Sequence, residues 1–234
     1  YHPTLNDYIG AKKKLFNSLK NDAVAIVNFD DPYGEEMVGD IIAKPLSYGL
    51  KGDFDFKGKI VENNISGLSV EIDGFEMTSR LIGEFNAYNL LVVFAVAKSL
   101  GEEALTVLTI ISNLKAPDGR FEYIVSPRNV TAVIDYAHTP DALENVLKTS
   151  VSLKSDNEKI FTVSGCGGDR DKGKRPLMAE IAEKHANKLI ITDDNPRTEA
   201  SEAIIKQILS GFSSNAEVVV ESDRALAIDY AITH

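Results

Sequence analysis

The second half of the chain alternates short apolar runs with helix-like stretches, and this alternation limits the fold more than any other feature. The apolar runs cover residues 131–135, 159–163, 188–192 and 217–220. Helix-like stretches follow the first three runs, and the first of them carries an apolar stripe of Leu143, Val146, Leu147 and Val151. Such alternation is typical of parallel strands joined by helical crossovers. A Rossmann-like α/β domain is therefore predicted here.

The first half is organised differently. Its predicted elements are a helix, a buried strand, a glycine-interrupted β-rich segment and two further helices, at residues 5–19, 23–28, 46–80, 89–100 and 102–114. A linker follows at residues 115–120, where Pro117 and Gly119 interrupt regular structure. The sequence therefore predicts two α/β domains, at residues 1–120 and 121–234.

The loops that follow the first three strands of the second half are polar and charged. They cover residues 135–140, 164–176 and 193–197, and they carry His138, Arg170 and Arg197. In parallel sheets, ligands bind beyond the carboxyl ends of the strands. Any one of these side chains has an ordinary interpretation as a surface residue, but the three together favour a site.

The stretch "GCGGDRDKGKRP", residues 165–176, joins a predicted strand to a predicted helix. Glycines at such a junction let the backbone approach an anion and direct N–H groups toward it. Four basic residues lie between positions 170 and 175, which indicates one small anionic ligand. A solvated basic turn is the alternative interpretation.

Two arginines and two acceptor side chains occur in these loops. Arg170 and Arg197 can each bind a carboxylate or phosphate through a planar fork. Asp194 and Asn195 offer oxygen acceptors that suit an ammonium group. Cation and anion holders side by side favour a zwitterion, that is, an amino acid.

A dinucleotide site is a competing interpretation of the glycine turn. Gly165-Cys-Gly-Gly168 loosely matches a G-x-G-x-x-G turn, but position 170 is arginine instead of the third glycine. A nucleotide-binding module of regulatory or redox type therefore stays open as an alternative. Binding of a nicotinamide cofactor, without binding of ATP, would favour it.

Composition excludes several classes of protein. The net charge of −10 argues against a general nucleic-acid-binding protein, which would have a basic surface. No apolar stretch reaches the length of a membrane span. The single cysteine, Cys166, excludes an internal disulfide framework and fits a reducing, cytoplasmic location.

The three loops together resemble the Mur ligase family. The matching stretches there are "DYAHTPDALENVLK", "GCGGDRDKGKRPLMAEIAEKHA" and "DDNPRTE". The first half adds "YHPTLNDYIGAKKKLF", "NFDDPYG", "GEFNAYNLLVVFAVA" and "APDGRFE", in the family's order. The resemblance covers nearly the whole chain and implies a central ATPase-type domain followed by the Rossmann-like C-terminal domain.

The resemblance also implies a reaction. Family members use ATP and Mg²⁺ to phosphorylate a carboxylate of a nucleotide-linked peptide, and an incoming amine converts the acyl phosphate to an amide. The branch that this chain resembles adds meso-diaminopimelate to UDP-N-acetylmuramoyl-L-Ala-D-Glu in peptidoglycan precursor synthesis. A monomer without nucleic-acid or membrane partners is expected.

By resemblance, five residues correspond to the ATP side of the site. Lys12 falls where the family carries a carbamylated, magnesium-holding lysine. Asn89 matches an adenine-contacting asparagine, and Arg120 and Asp135 match positions around the ribose. His138 matches a position near the terminal phosphate. Lys12 and His138 are therefore the expected catalytic residues.

By resemblance, the diaminopimelate pocket comprises Arg170, Asp194, Asn195 and Arg197. Lysine-adding relatives lack the arginine that corresponds to Arg197, because lysine has no distal carboxylate. A lysine-adding ligase or a folylpolyglutamate synthetase-like enzyme is the alternative, and "DNPR" argues against both.

Two family segments are missing from the sequence. The phosphate loop, G-x-x-G-K-[ST], does not occur, and the chain ends at His234 before a G-K-G-H-E segment would begin. We therefore expect an interior fragment, with the central domain truncated at its start, the C-terminal domain truncated at its end, and no ligase activity on its own.

Overall fold

The computed structural model describes residues 4–127 and 130–234. The chain divides into two compact units, Tyr1–Lys115 and Ala116–His234, which are described separately below. The first three residues of the "YHPTL" stretch lie outside the described residues. Each unit combines helices with a β-sheet, as the α/β prediction requires.

The first unit begins with helix α1 (Leu5–Asn17). Thr4 caps it: its hydroxyl accepts a hydrogen bond from the Asp7 N–H (3.2 Å), and the Asp7 carboxylate accepts one from the Thr4 N–H (3.1 Å). The remaining elements are β1 (Val24–Asn28), α2 (Gly34–Val38), β2 (Lys44–Gly49), β3 (Phe56–Asn64), β4 (Gly67–Ile72), β5 (Phe75–Ser79), α3 (Glu84–Ser99) and α4 (Ala104–Ser112).

The sheet of the first unit has the order β1-β2-β3-β4-β5. Strands β1, β2 and β3 are parallel, whereas β3, β4 and β5 form an antiparallel meander. The turn between β4 and β5 consists of Asp73 and Gly74, both with positive φ (54° and 77°), as a tight hairpin turn requires. Helix α3 buries Leu90, Leu91 and Phe94 in the core of this unit.

Helix α3 begins five residues before the predicted start at Asn89. The polar residues Glu84 and Asn86 obscure the apolar periodicity there. The start is nevertheless fixed, because Gly83 adopts a positive φ of 98° and the Asn86 side chain donates to the Ile82 carbonyl at 2.8 Å. Asn89 therefore lies inside the helix, where the sequence alone indicated a helix-start residue.

The second unit contains a hairpin and three βα pairs. Its elements are β6 (Glu122–Val125), β7 (Thr131–Ile134), α5 (Pro140–Leu153), β8 (Phe161–Ser164), α6 (Lys174–His185), β9 (Lys188–Ile191), α7 (Ser201–Leu209), β10 (Val218–Val220) and α8 (Arg224–Thr233). Strands β8, β9 and β10 are parallel, in the order β10-β9-β8. These strands and helices confirm the predicted βα alternation from residue 159 onward.

The first predicted parallel strand pairs differently. Strand β7 is antiparallel to β6, with Val125 opposite Thr131 and Glu122 opposite Ile134. The sequence did not predict β6, because its four residues follow directly on the linker. Antiparallel strands can be joined by a short hairpin connection, whereas parallel strands need a long crossover. Strand β7 therefore pairs with β6, its neighbour in sequence, and not with the parallel sheet.

The core of the second unit lies between the parallel sheet and helices α5, α6 and α7. Ile190 and Ile191 in the central strand are fully buried. Ile191 and Leu189 belong to one core cluster with residues of these helices, including Leu143, Leu147, Met178, Ala182, Ile204 and Ile208. This core fixes the strand ends from which the polar loops emerge.

Candidate functional site

Two of the polar loops leave neighbouring parallel strands. One joins β8 to α6 (residues 165–173), and we call it the glycine loop; the other joins β9 to α7 (residues 192–200), and we call it the DNPR loop. Because β8 and β9 are adjacent and parallel, both loops start at the same edge of the sheet. This placement matches the expected position of a site in an α/β domain.

The glycines pack the two loops against each other. The Gly168 N–H donates to the Asn195 carbonyl at 2.8 Å. A Cβ at Gly168 would overlap the Pro196 carbonyl oxygen, and one at Gly165 would overlap the Thr192 carbonyl oxygen. The sequence had indicated that these glycines make room for a ligand. In the structure Gly165 and Gly168 instead make room for the neighbouring backbone.

A guanidinium and a carboxylate both lie close to Gly167. A Cβ at Gly167 would lie 2.9 Å from Arg197 Nη1 and 3.7 Å from Asp194 Oδ2. Arg197 Nη1 also donates to the Gly168 carbonyl at 2.5 Å, and Asp194 Oδ1 lies 3.2 Å from Arg224 Nη2. Arg197 and Asp194 are both exposed. The arrangement offers adjacent sites for a carboxylate and an ammonium group.

The basic residues of the glycine loop have different environments. Lys172 Nζ lies 3.1 Å from Glu199 Oε2, and Lys174 Nζ donates to the His138 carbonyl at 2.5 Å. Arg175 is fully buried. Arg170 is exposed, and in the described part of the chain it has no hydrogen bond or ion pair. Of this basic run, Arg170 is therefore the residue best placed to bind a ligand.

Arg175 and Glu199 form an ion pair that sequence reasoning missed. Arg175 Nη2 lies 2.9 Å from Glu199 Oε1, and Nη1 lies 3.1 Å from Oε2. The hydrogen bonds from Arg175, with those from the Asp169 N–H and Lys172, lower the pKa of Glu199 to about 2. The available signal was Glu199 itself, which closes the "DNPRTE" stretch.

Two non-glycine residues in these loops adopt left-handed backbone conformations. Asp169 and Arg197 both have φ of 52°, a conformation that costs about 1–2 kcal/mol for a residue with a Cβ. The Asp169 carboxylate accepts hydrogen bonds from the Thr198 N–H (3.1 Å) and hydroxyl (2.7 Å), which lower its pKa. The bonds between Asp169 and Thr198 join the residue before Arg170 to the residue after Arg197.

The third polar loop lies between β7 and α5. Asp135 accepts hydrogen bonds from the Phe121 N–H (2.8 Å) and the Ala137 N–H (2.7 Å). The Arg120 guanidinium lies 5.1 Å from the centre of the Tyr136 ring. His138 is exposed, with Nδ1 3.1 Å from the Tyr136 carbonyl oxygen. The structure thus brings Arg120, Asp135 and His138 into one neighbourhood of the second unit.

Lys12 and Asn89 lie in the first unit, on α1 and α3. Asn89 is exposed, and its Nδ2 donates to Asn86 Oδ1 at 3.2 Å. Lys12 is exposed, with Nζ 4.6 Å above the Tyr8 ring. No hydrogen bond or ion pair joins Lys12 to Asn89.

Metal-binding clusters and membrane-spanning helices are both absent from the described residues. Residues 4–127 and 130–234 contain no group of three or more His, Cys, Asp or Glu side chains arranged to hold a metal ion. No helix in the same residues is long and apolar enough to cross a membrane.

Two family models match the sequence. The model described as "Mur ligase middle domain" matches residues 1–97, and the model described as "Mur ligase, glutamate ligase domain" matches residues 119–234. Together they cover most of both structural units.

Curated relatives support the same assignment. The UDP-N-acetylmuramoyl-L-alanyl-D-glutamate–2,6-diaminopimelate ligase of Cytophaga hutchinsonii is 46% identical over 235 residues, covering 100% of this chain and 48% of the relative. The enzyme of the same name from Aquifex aeolicus is 41% identical over 234 residues, covering 99% and 48%. The chain thus spans about half the length of the curated relatives it matches.

Solved structures agree with the fold. A structure of a UDP-N-acetylmuramoyl-L-alanyl-D-glutamate–2,6-diaminopimelate ligase matches with a TM-score of 0.59 and 35% identity, covering 100% of this chain and 50% of its own. Folylpolyglutamate synthase from Thermotoga maritima matches with a TM-score of 0.72 and 16% identity, covering 97% and 52%; it bears on the fold alone. With both domain models and full-chain relatives in agreement, the chain belongs to the Mur ligase family.

Proposed function

We propose that the enzyme carrying this chain is an ATP-dependent amide ligase that adds meso-diaminopimelate to UDP-N-acetylmuramoyl-L-Ala-D-Glu. The observation that carries this proposal is that the Arg197 guanidinium and the Asp194 carboxylate both lie close to Gly167. The similarity to the diaminopimelate ligases of Cytophaga hutchinsonii and Aquifex aeolicus supports the same substrates. We extend the proposal to a cytoplasmic enzyme that acts as a monomer.

The proposed reaction transfers the γ-phosphoryl group of ATP to the terminal carboxylate of the nucleotide-linked peptide. The amine of meso-diaminopimelate then attacks the acyl carbon, and the tetrahedral intermediate expels phosphate as the amide forms. The protein contributes mainly by orienting the reactants and by offering charged groups to them. In the proposal, His138 faces the terminal phosphate, and Asn89, Arg120 and Asp135 contact the nucleoside of ATP.

The proposed amino-acid clamp consists of Arg170, Asp194, Asn195 and Arg197. The two arginines would bind carboxylate groups through their planar forks, because this geometry permits two parallel hydrogen bonds. The oxygen atoms of Asp194 and Asn195 would accept hydrogen bonds from an ammonium group. A substrate with a charged amine and carboxylate at its distal end uses both kinds of partner.

Lys12 is the residue of this chain that we propose for the magnesium site. Mg²⁺ would neutralise phosphate charge when bound, and a carbamylated Lys12 would help to hold it. Carbon-13 NMR of the complete enzyme supplied with labelled bicarbonate tests the carbamate, since a carbamate signal that Lys12→Arg removes would support it.

The decisive test is a panel of amino acids offered to the complete enzyme. Phosphate release would be measured with UDP-N-acetylmuramoyl-L-Ala-D-Glu, ATP, Mg²⁺ and either meso-diaminopimelate or L-lysine. Turnover with meso-diaminopimelate but not with lysine is expected, because lysine lacks the distal carboxylate. Equal turnover with both would leave the ligase assignment standing and would refute the substrate assignment.

A further inference from the structure

Arg175 and Glu199 form a two-point ion pair where the glycine loop meets the DNPR loop. The Arg175 side chain is fully buried, and that of Glu199 is 13% exposed. Two parallel N–H···O contacts fix the relative orientation of the two groups as well as their distance. A buried pair of this kind contributes little net stability, because desolvation offsets much of the attraction. Its main consequence is therefore geometric.

The pair holds both loops through further hydrogen bonds. Arg175 Nη2 donates to the Gly167 carbonyl at 3.0 Å, and Glu199 Oε1 accepts from the Asp169 N–H at 2.7 Å. Arg175 Nη1 also donates to Gln207 Oε1 on α7 at 2.6 Å. One buried guanidinium thus connects α6, α7, the glycine loop and the DNPR loop.

The residues held by the pair are sequence neighbours of the proposed clamp. Asp169, whose N–H is bound by Glu199, directly precedes Arg170. Glu199 itself follows Arg197 by two positions. Asp169 and Arg197 both adopt left-handed conformations, which persist only where surrounding contacts determine them.

We propose that Arg175 and Glu199 are positioning residues that set the spacing between the guanidinium groups of Arg170 and Arg197 for one amino-acid substrate. Neither needs to touch the substrate, since Arg175 is buried and the Glu199 carboxylate is occupied by Arg175, Lys172 and Asp169. The inference rests on the proposed function, in which these loops bind the amino acid. A purely structural pair would affect folding without selectively affecting that substrate.

The kinetic test uses Glu199→Gln in the complete enzyme. Glutamine keeps the size of the side chain but removes the charge and turns an NH₂ group toward one of its donors. We expect the KM for meso-diaminopimelate to rise about tenfold, while the KM for ATP changes by less than about twofold. Arg175→Lys, which keeps the charge and loses the fork, should have the same effect.

Glu183→Gln is the matched control. The Glu183 carboxylate accepts a hydrogen bond from the Ser213 N–H at 2.8 Å and another from the Ser213 hydroxyl, in the same unit but outside both loops. Its kinetic constants should match those of the wild type. If Glu199→Gln matches the wild type too, or raises every KM alike, the positioning role is refuted.

Hydrogen exchange separates this inference from the proposed function, because it needs no substrate. In Glu199→Gln, amides of residues 167–169, 195 and 197–199 should exchange about tenfold faster, whereas those of β9 should not change. Unchanged loop exchange would refute positioning, whatever the substrate. If the loops loosen but the wild type does not ligate meso-diaminopimelate, positioning stands and the proposed function fails.

Discussion

Arg197 Nη1 donates a hydrogen bond of 2.5 Å to the carbonyl oxygen of Gly168. The DNPR loop thereby reaches across to the glycine loop through the same side chain that the proposal assigns to the substrate. A guanidinium has five N–H donors, so this bond leaves several for a carboxylate. Arg197 is therefore oriented by the protein before any substrate binds.

Replacing Arg197 should weaken use of meso-diaminopimelate. Arg197→Ala removes both the fork and the charge, and hydrogen bonds to charged groups are worth about 1.5–3 kcal/mol. We expect kcat/KM for meso-diaminopimelate to fall by about ten- to a hundredfold, with the KM for ATP unchanged. Phosphate release by the complete enzyme measures both. Lys206→Ala, which removes an exposed cation on α7, is the control, and equal behaviour of the two variants would contradict the clamp.

Gly168→Ala should disrupt the contact between the loops. The new Cβ would overlap the Pro196 carbonyl, which is backbone and cannot rotate away. Overpacking of this kind costs about 1–3 kcal/mol, so the thermal midpoint should fall and use of the amino acid should weaken. Gly173→Ala is the control, because its Cβ would meet only the Asp171 side chain, at 3.3 Å. Equal thermal midpoints for the two variants would show that the contact between the glycine loop and the DNPR loop contributes nothing to stability.

The pKa of Glu199 predicts how acid affects the loops. Its pKa falls from an ordinary value of 4.5 to about 2 in the folded protein, so the stability that it contributes is present above pH 4.5. That contribution is lost as the pH falls from 4.5 toward 2. Thermal unfolding of wild type and Glu199→Gln should differ by a constant amount above about pH 5, and the two should converge as the pH falls from 4.5 toward 2. A constant difference between the two proteins over this range would contradict the prediction.

The sequence was sufficient for the elements whose pattern is local. The apolar runs before the glycine loop and before Asp193 predicted β8 and β9. The apolar stripe of Leu143, Val146, Leu147 and Val151 predicted the helix that the structure has at Pro140–Leu153. The pairing of β7 with β6 could not be predicted this way, because strand partners depend on contacts between segments.

The roles of individual cations were equally hidden in the sequence. Arg170 and Arg175 belong to one basic run, yet Arg170 is exposed and Arg175 is fully buried. What separates them is Glu199, which lies 24 positions beyond Arg175. A run of like charges indicates a ligand only after the partners supplied by the fold have been accounted for.

Asn89 offers a prediction for the first unit. Its side chain is exposed on α3, and its Nδ2 donates to Asn86 Oδ1, while Asn86 is held by the Ile82 carbonyl. Because Nδ2 is bound to Asn86, the Asn89 carboxamide oxygen is the atom that can accept a hydrogen bond from a donor such as the adenine amino group. Asn89→Ala in the complete enzyme should therefore raise the KM for ATP by about tenfold, the worth of one or two hydrogen bonds.

The thermal midpoint of Asn89→Ala should stay near that of the wild type, because an exposed side chain on a helix contributes little to stability and alanine favours the helix. Asn113→Ala, at the exposed end of α4, serves as the control and should leave the KM for ATP unchanged. Asn86→Ala, in contrast, should lower the thermal midpoint, because Asn86 is buried and the Ile82 carbonyl would lose its hydrogen bond. If Asn89→Ala lowers the thermal midpoint without changing the KM for ATP, the residue is structural and the adenine contact lies elsewhere.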